Sequence, residues 1–168
     1  DFNHGILFHT DAVQAFQYLD CNVNKLGVDL MTLSAHKIYG PKGVGTLYIR
    51  NGIKDKISPI LTGGGQEFGF RSGTENVASI VGFAKAVELI AGSSFDAAQD
   101  KRELEKKRVG DLRDYFWEEM KKIYPRAERN GSEPLLPNIL NVCFPNQSSE
   151  DLLVKFDMAH VAVSSGSA

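Results

Sequence analysis

Apolar runs of strand length occupy residues 6–10, 29–34 and 45–50, each bounded by Gly, Pro, Asp or Asn. They predict three strands. From Ser72 the apolar spacing lengthens to that of a helix, with Val77, Ile80, Val81, Ala84 and Val87 on one face. Ser72 and Glu75 have the spacing of a capping box at its start, and Gly92 closes it. A long charged helix follows over about 97–123. There Val109, Leu112, Phe116, Met120 and Ile123 recur at three or four, and the Lys, Arg, Glu and Asp between them make a solvated face. Pro125 blocks its continuation. Beyond a polar loop at 128–134, residues 138–144 read as a strand, Ser148 or Ser149 caps a helix running to Met158, and 161–163 read as a last strand.

Helices and strands that alternate in this way argue for α/β layering, with a sheet and helices packed on it. The small polar stretch Gly92-Ser-Ser-Phe-Asp separates two helical patterns of very different charge density. It divides the chain into a first domain at 1–92 and a second at 93–168. The chain opens on the approach to a strand and stops just after one, so both ends are expected to be cut.

Composition narrows the partners. With 168 residues, 42% of them apolar, a sizeable core is available. Nineteen basic against 21 acidic residues give no basic stripe for nucleic acid or an anionic membrane. No stretch nears the run of about 20 apolar residues that spans a bilayer, and Asp-Phe-Asn-His-Gly is not a signal pattern. The default compartment is the cytoplasm, or an organellar matrix in a eukaryote. Cys21 and Cys143 form no CxxC pair and are read as reduced, packed thiols. His4, His9 and His160 lack the neighbours of a metal site, so no metal is expected.

The densest chemistry lies in Thr10-Asp-Ala-Val-Gln14 and in Ser34-Ala-His-Lys-Ile-Tyr-Gly-Pro-Lys-Gly43, at the ends of the first two predicted strands. Strand ends of an open α/β sheet are where ligand crevices form. Lys37 directly follows an apolar strand. It is either an ordinary strand-end lysine or a partly desolvated amine able to attack a carbonyl. Its neighbours favour the second reading. Ser34 and His36 are donors suited to a phosphate, and Asp11 is a carboxylate able to keep a pyridine nitrogen protonated. Ser72, Gly73 and Thr74, at a predicted helix start, add backbone N–H groups that attract an anion. The glycines of 40–45 and 63–69 keep neither phosphate-loop nor dinucleotide spacing.

Ser-Ala-His-Lys-Ile-Tyr-Gly-Pro-Lys-Gly resembles the cofactor-lysine segment of the cysteine desulfurases, which are fold-type-I, class-V aminotransferase-like enzymes dependent on pyridoxal 5'-phosphate (PLP). His9-Thr-Asp-Ala-Val-Gln14 is similar to the family's pyridine-ring segment. The stretch from Gly63 to Asn76 resembles its glycine-rich loop. The resemblance implies that Lys37 condenses with the cofactor, Asp11 pairs with its ring nitrogen and Gln14 bonds its phenolic oxygen. Ser34 and His36 then hold the phosphate, and Thr74 reaches the phosphate bound by the other subunit of a homodimer. It also implies the C-terminal half of a PLP-binding large domain over 1–92 and part of a small domain over 93–168.

The activity implied is conversion of L-cysteine to L-alanine. Sulfur is transferred as a persulfide to an iron–sulfur scaffold or another acceptor, including those of tRNA thiolation. Ser164-Ser-Gly-Ser-Ala168 points to the subgroup serving iron–sulfur cluster assembly, in which the catalytic cysteine follows directly. Family subunits are more than twice as long, with a ring-stacking histidine earlier in the chain and a substrate-binding arginine later. This chain by itself is therefore expected to be inactive. A related PLP lyase or aminotransferase, or a non-catalytic fragment of one, remains the alternative.

Overall fold

The computed structural model describes residues 5–91 and 95–165, and side chains among them except at 91 and 95–101. The boundary segment 92–94 and residues 166–168 of the Ser-Ser-Gly-Ser-Ala ending lie outside the described residues. The chain divides into two compact units, Asp1–Lys106 and Lys107–Ala168.

In the first unit, strands β1 (His9–Asp11), β2 (Leu30–Ser34) and β3 (Gly45–Ile49) form one sheet in that order. β1 runs parallel to β2, with Asp11 beside Thr32, while β3 returns antiparallel with Gly45 beside Ser34. The segment between β1 and β2 holds a four-residue helix, α1 (Val23–Leu26). Sequence periodicity gave no sign of it. Asn22 caps it through two backbone amides and Gly27 ends it in the left-handed region.

A single 3-10 turn, Ala35–Ile38, follows β2 and packs on α2 (Val77–Ala91). Ala35, Ile38, Phe83 and Ala86 make one core cluster; Ala12, Val28 and Met31 make another under the sheet. α2 buries only part of the expected stripe: Val87 packs on the core, but the other expected residues do not. Phe83 and Ala86 are buried, whereas Val77 and Val81 are 65% and 62% exposed. The helix is apolar on more than one side, so spacing alone could not tell which stripe meets the 3-10 turn. Nor does it start at Ser72. Asn76 is the cap, its Oδ1 accepting the Ser79 amide at 3.2 Å, and the Ser72 hydroxyl instead donates to the Gly64 carbonyl at 2.7 Å.

The backbone after the 3-10 turn runs so close to α2 that only a glycine fits. A Cβ on Gly40 would stand 2.9 Å from the Ala35 carbonyl oxygen and 3.2 Å from Ala86 Cβ. Gly40→Ala is expected to cost about 1–3 kcal/mol. A lower denaturant midpoint in the full-length protein would check it, and an unchanged midpoint would show that the turn yields freely.

α3 (Phe95–Ile123) runs from the first unit into the second. Within the second unit its buried side differs from the expected stripe, because polar side chains serve backbone acceptors. Arg113 donates to the Leu136 carbonyl at 2.8 Å and Lys121 to that of Ala127 at 2.9 Å, while Leu112, Phe116 and Ile123 stay exposed. Two short strands, β4 (Glu128–Arg129) and β5 (Val142–Cys143), pair antiparallel. β4 falls in the stretch read as loop, and β5 covers only part of the strand expected over 138–144. Helix α4 (Ser149–Met158) starts as expected, with the Ser148 hydroxyl accepting the Asp151 amide. Residues 161–163 form no strand: among the described residues none pairs with them, and a strand exists only through its ladder.

Candidate functional site

Strand alternation gathers most of the polar side chains of β1 and β2 on one face. His9, Asp11, Thr32 and Ser34 fall on one face of the parallel pair β1–β2. A 2.8 Å hydrogen bond between His9 Nε2 and Thr32 Oγ1 joins two of them across the strands. Met31 and Leu33 take the other face, toward the cores. The result is a largely polar face, with Leu30 paired to His9 at its start, and Asp11 and Ser34 at the carboxyl ends of neighbouring parallel strands. His9 was read from sequence as an ordinary strand residue. The signal that placed it here was its position two residues before Asp11.

Asp11 also organises the chain that leaves β1. Its Oδ1 accepts the Val13 amide at 2.9 Å, and the Ala12 amide donates to the Thr32 carbonyl at 3.0 Å. The carboxylate itself stays exposed, and Gln14 follows half-buried on the turn.

Lys37 is set by the buried residues that flank it. Ala35 and Ile38, 0% and 2% exposed, anchor the 3-10 turn on α2, leaving Lys37 half-buried and His36 exposed. Ser34 Oγ and His36 Nδ1 are 2.8 Å apart, so this pair is joined across the start of the turn. Tyr39 ends the turn in the left-handed region, at φ 64°.

Thr74 is placed differently from the expectation. It lies on an exposed loop two residues before the cap of α2, not on the first turn. No hydrogen bond joins it to Asp11, Gln14, Ser34, His36 or Lys37 among the described residues. The loop itself is well tied. The Ser72 amide donates to the Leu61 carbonyl at 3.1 Å and the Gly73 amide to Gln66 Oε1 at 3.2 Å. Glu67 and Phe68 both take positive φ within it, and Phe68 is 92% exposed.

The two cysteines part company. Burial pushes the Cys21 thiol up, against the opposing pull of Arg102, as suits a packed thiol. Cys143 is exposed, contrary to the packed position expected of it. β5 is one edge of a two-stranded ribbon, and Cys143 shares its open side with Glu128.

Known proteins are similar over nearly the whole chain. Residues 2–168 match the family described as Aminotransferase class-V. "Cysteine desulfurase IscS" of Dictyoglomus turgidum is 46% identical over 166 residues, covering 98% of this chain and 40% of that protein. The mitosomal cysteine desulfurase of Encephalitozoon cuniculi is 42% identical over 164 residues, covering 98% and 36%. Among solved structures, a NifS-like protein from Rickettsia africae superposes with a TM-score of 0.80 at 34% identity, covering 96% of this chain and 42% of that one. SspA in complex with cysteine superposes with a TM-score of 0.68 at 34% identity, covering 99% and 43%. The fold is thus that of part of a fold-type-I PLP enzyme, and the chain belongs to the class-V aminotransferase family. It spans about two-fifths of the length of the curated relatives it matches.

Proposed function

We propose that the full-length protein is a homodimeric, PLP-dependent cysteine desulfurase. It converts L-cysteine to L-alanine and passes the sulfur, as a cysteine persulfide, to an iron–sulfur scaffold or another acceptor protein. The supporting observation is that Asp11, the Ser34–His36 pair and the half-buried Lys37 lie at the carboxyl ends of two adjacent parallel strands.

That donor set fits PLP group by group: an amine for its aldehyde, a carboxylate for its ring nitrogen, a hydroxyl and an imidazole for its phosphate. When bound, PLP supplies an aldehyde that takes up amines and a ring that accepts electrons from the substrate α-carbon. Lys37 holds the cofactor in the resting enzyme and moves the substrate α-proton at its Nζ once displaced. Asp11 keeps the ring nitrogen protonated, Gln14 donates to the phenolic oxygen, and Ser34 and His36 donate to the phosphate. A cysteine thiol then takes the substrate's sulfur. Its proton goes to the product, the substrate C–S bond breaks and an S–S bond forms, so that cysteine and thiol become alanine and persulfide.

Thr74 has its role across a dimer, where it donates to the phosphate held by the second copy. Exposed apolar side chains near it in sequence, Phe68, Val77 and Val81, support a protein surface there. In this reading residues 1–92 are the C-terminal half of the large PLP-binding domain and 93–168 belong to the small domain. We place the protein in the cytoplasm or an organellar matrix. No helix among the described residues is long and apolar enough to cross a membrane, and one relative is mitosomal.

The full-length protein given L-cysteine, PLP and a thiol reductant is expected to release alanine and sulfide in equal amounts. A keto acid in place of alanine points to a related aminotransferase, and absence of turnover in a PLP-loaded full-length dimer overturns the reading.

A further inference from the structure

Arg102 belongs to α3, yet its guanidinium serves backbone 83 to 86 residues earlier. Nε donates to the Gln17 carbonyl at 2.9 Å, and Nη2 donates to the Phe16 carbonyl at 3.1 Å and to that of Leu19 as well. These acceptors end the turn that leaves β1. The Ala15 and Phe16 amides donate to the Ala12 carbonyl, and the Tyr18 and Leu19 amides to that of Ala15. At the last residues of such a turn, carbonyls have no following amide to accept from.

So short a turn does not hold itself, because the first hydrogen bonds fix many dihedrals for little return. It is clamped at both ends. Asp11 Oδ1 takes the Val13 amide at the start, and Arg102 takes the carbonyls at the finish. A guanidinium suits the second task because its planar fork offers several donors at fixed angles, which an ammonium cannot reproduce.

We propose that Arg102 is a positioning residue for Asp11 and Gln14. It fixes the turn that carries them and so sets where their side chains meet the cofactor, without touching the cofactor itself. This role rests on the functional reading above. Loosening the far end of the turn frees the Val13 amide and lets the Asp11 carboxylate and Gln14 wander, which weakens cofactor binding before it weakens the fold.

The test uses the full-length protein with Arg102→Met, which keeps an apolar stem, and Arg102→Lys, which keeps the charge. PLP is titrated into apo-protein, the visible absorption of the bound cofactor is followed against pH, and hydrogen exchange is read at the Ala15, Phe16, Tyr18 and Leu19 amides. R102M is expected to bind PLP roughly tenfold more weakly, with a displaced absorption profile and faster exchange at those amides. R102K falls between it and the wild type. Wild-type affinity and absorption in both variants overturn the role, even if the melting temperature drops. If R102M does not fold, R102K decides alone; failure of both to fold makes Arg102 a residue of the fold and overturns the proposal. Wild-type protein that takes up no PLP overturns the functional reading and this role with it, whereas unchanged uptake in R102M beside wild-type uptake overturns only the role.

Discussion

Lys37→Ala in the full-length protein is expected to abolish the cofactor adduct that borohydride fixes to the chain and to lower cysteine turnover by at least about 10³-fold. Lys42→Ala is expected to leave both unchanged. The two lysines lie five positions apart in one segment, but their settings differ. Lys37 is half-buried on the turn anchored by Ala35 and Ile38, directly after Ser34, whereas Lys42 is exposed beyond Pro41. Only the first has hydroxyl, imidazole and carboxylate groups arranged around the same strand ends. In the proposed function its loss removes both the covalent hold on the cofactor and the base for the α-proton, so the effects on adduct and rate should appear together. Mass spectrometry of the reduced, digested protein checks the assignment. An adduct on Lys42, or an undiminished adduct in Lys37→Ala, would falsify the central reading.

Much of the candidate site is legible in the sequence because it is written in short, contiguous segments. Asp11 and Gln14 leave one strand, Ser34 to Lys37 leave the next, and both strands announce themselves as apolar runs ending in polar residues. Where the reading failed, a longer-range contact decided. The Ser72–Glu75 spacing predicts that α2 starts at Ser72, but Ser72 is drawn back to the Gly64 carbonyl and Asn76 becomes the cap. The buried stripe of α2 departs from the predicted one, Val87 excepted, because Pro41 and the 3-10 turn choose it; Pro41 Cγ would lie 2.6 Å from a Cβ on Gly82. No local pattern reports that contact. Arg102 escaped notice for the same reason: within a charged helix it looks like one more solvated side chain, and only the fold brings it to carbonyls near residue 17.

Asp11→Asn is expected to lower kcat by about 10²–10³-fold while leaving the fold intact, the range seen when one preorganised electrostatic partner is removed from an active site. Asparagine has nearly the shape of aspartate, and its Oδ1 can still accept the Val13 amide that Asp11 holds at 2.9 Å. The turn toward Gln14 is therefore retained, and what disappears is the negative charge proposed to keep the cofactor's ring nitrogen protonated. The neutral ring withdraws electrons poorly from the substrate α-carbon, so the loss falls on turnover more than on cofactor uptake. Steady-state kinetics beside a PLP titration and a melting curve separate these effects. A variant that binds PLP, melts normally and turns over within a few-fold of the wild type would reduce Asp11 to a backbone cap, and the acid facing the ring would have to be sought elsewhere.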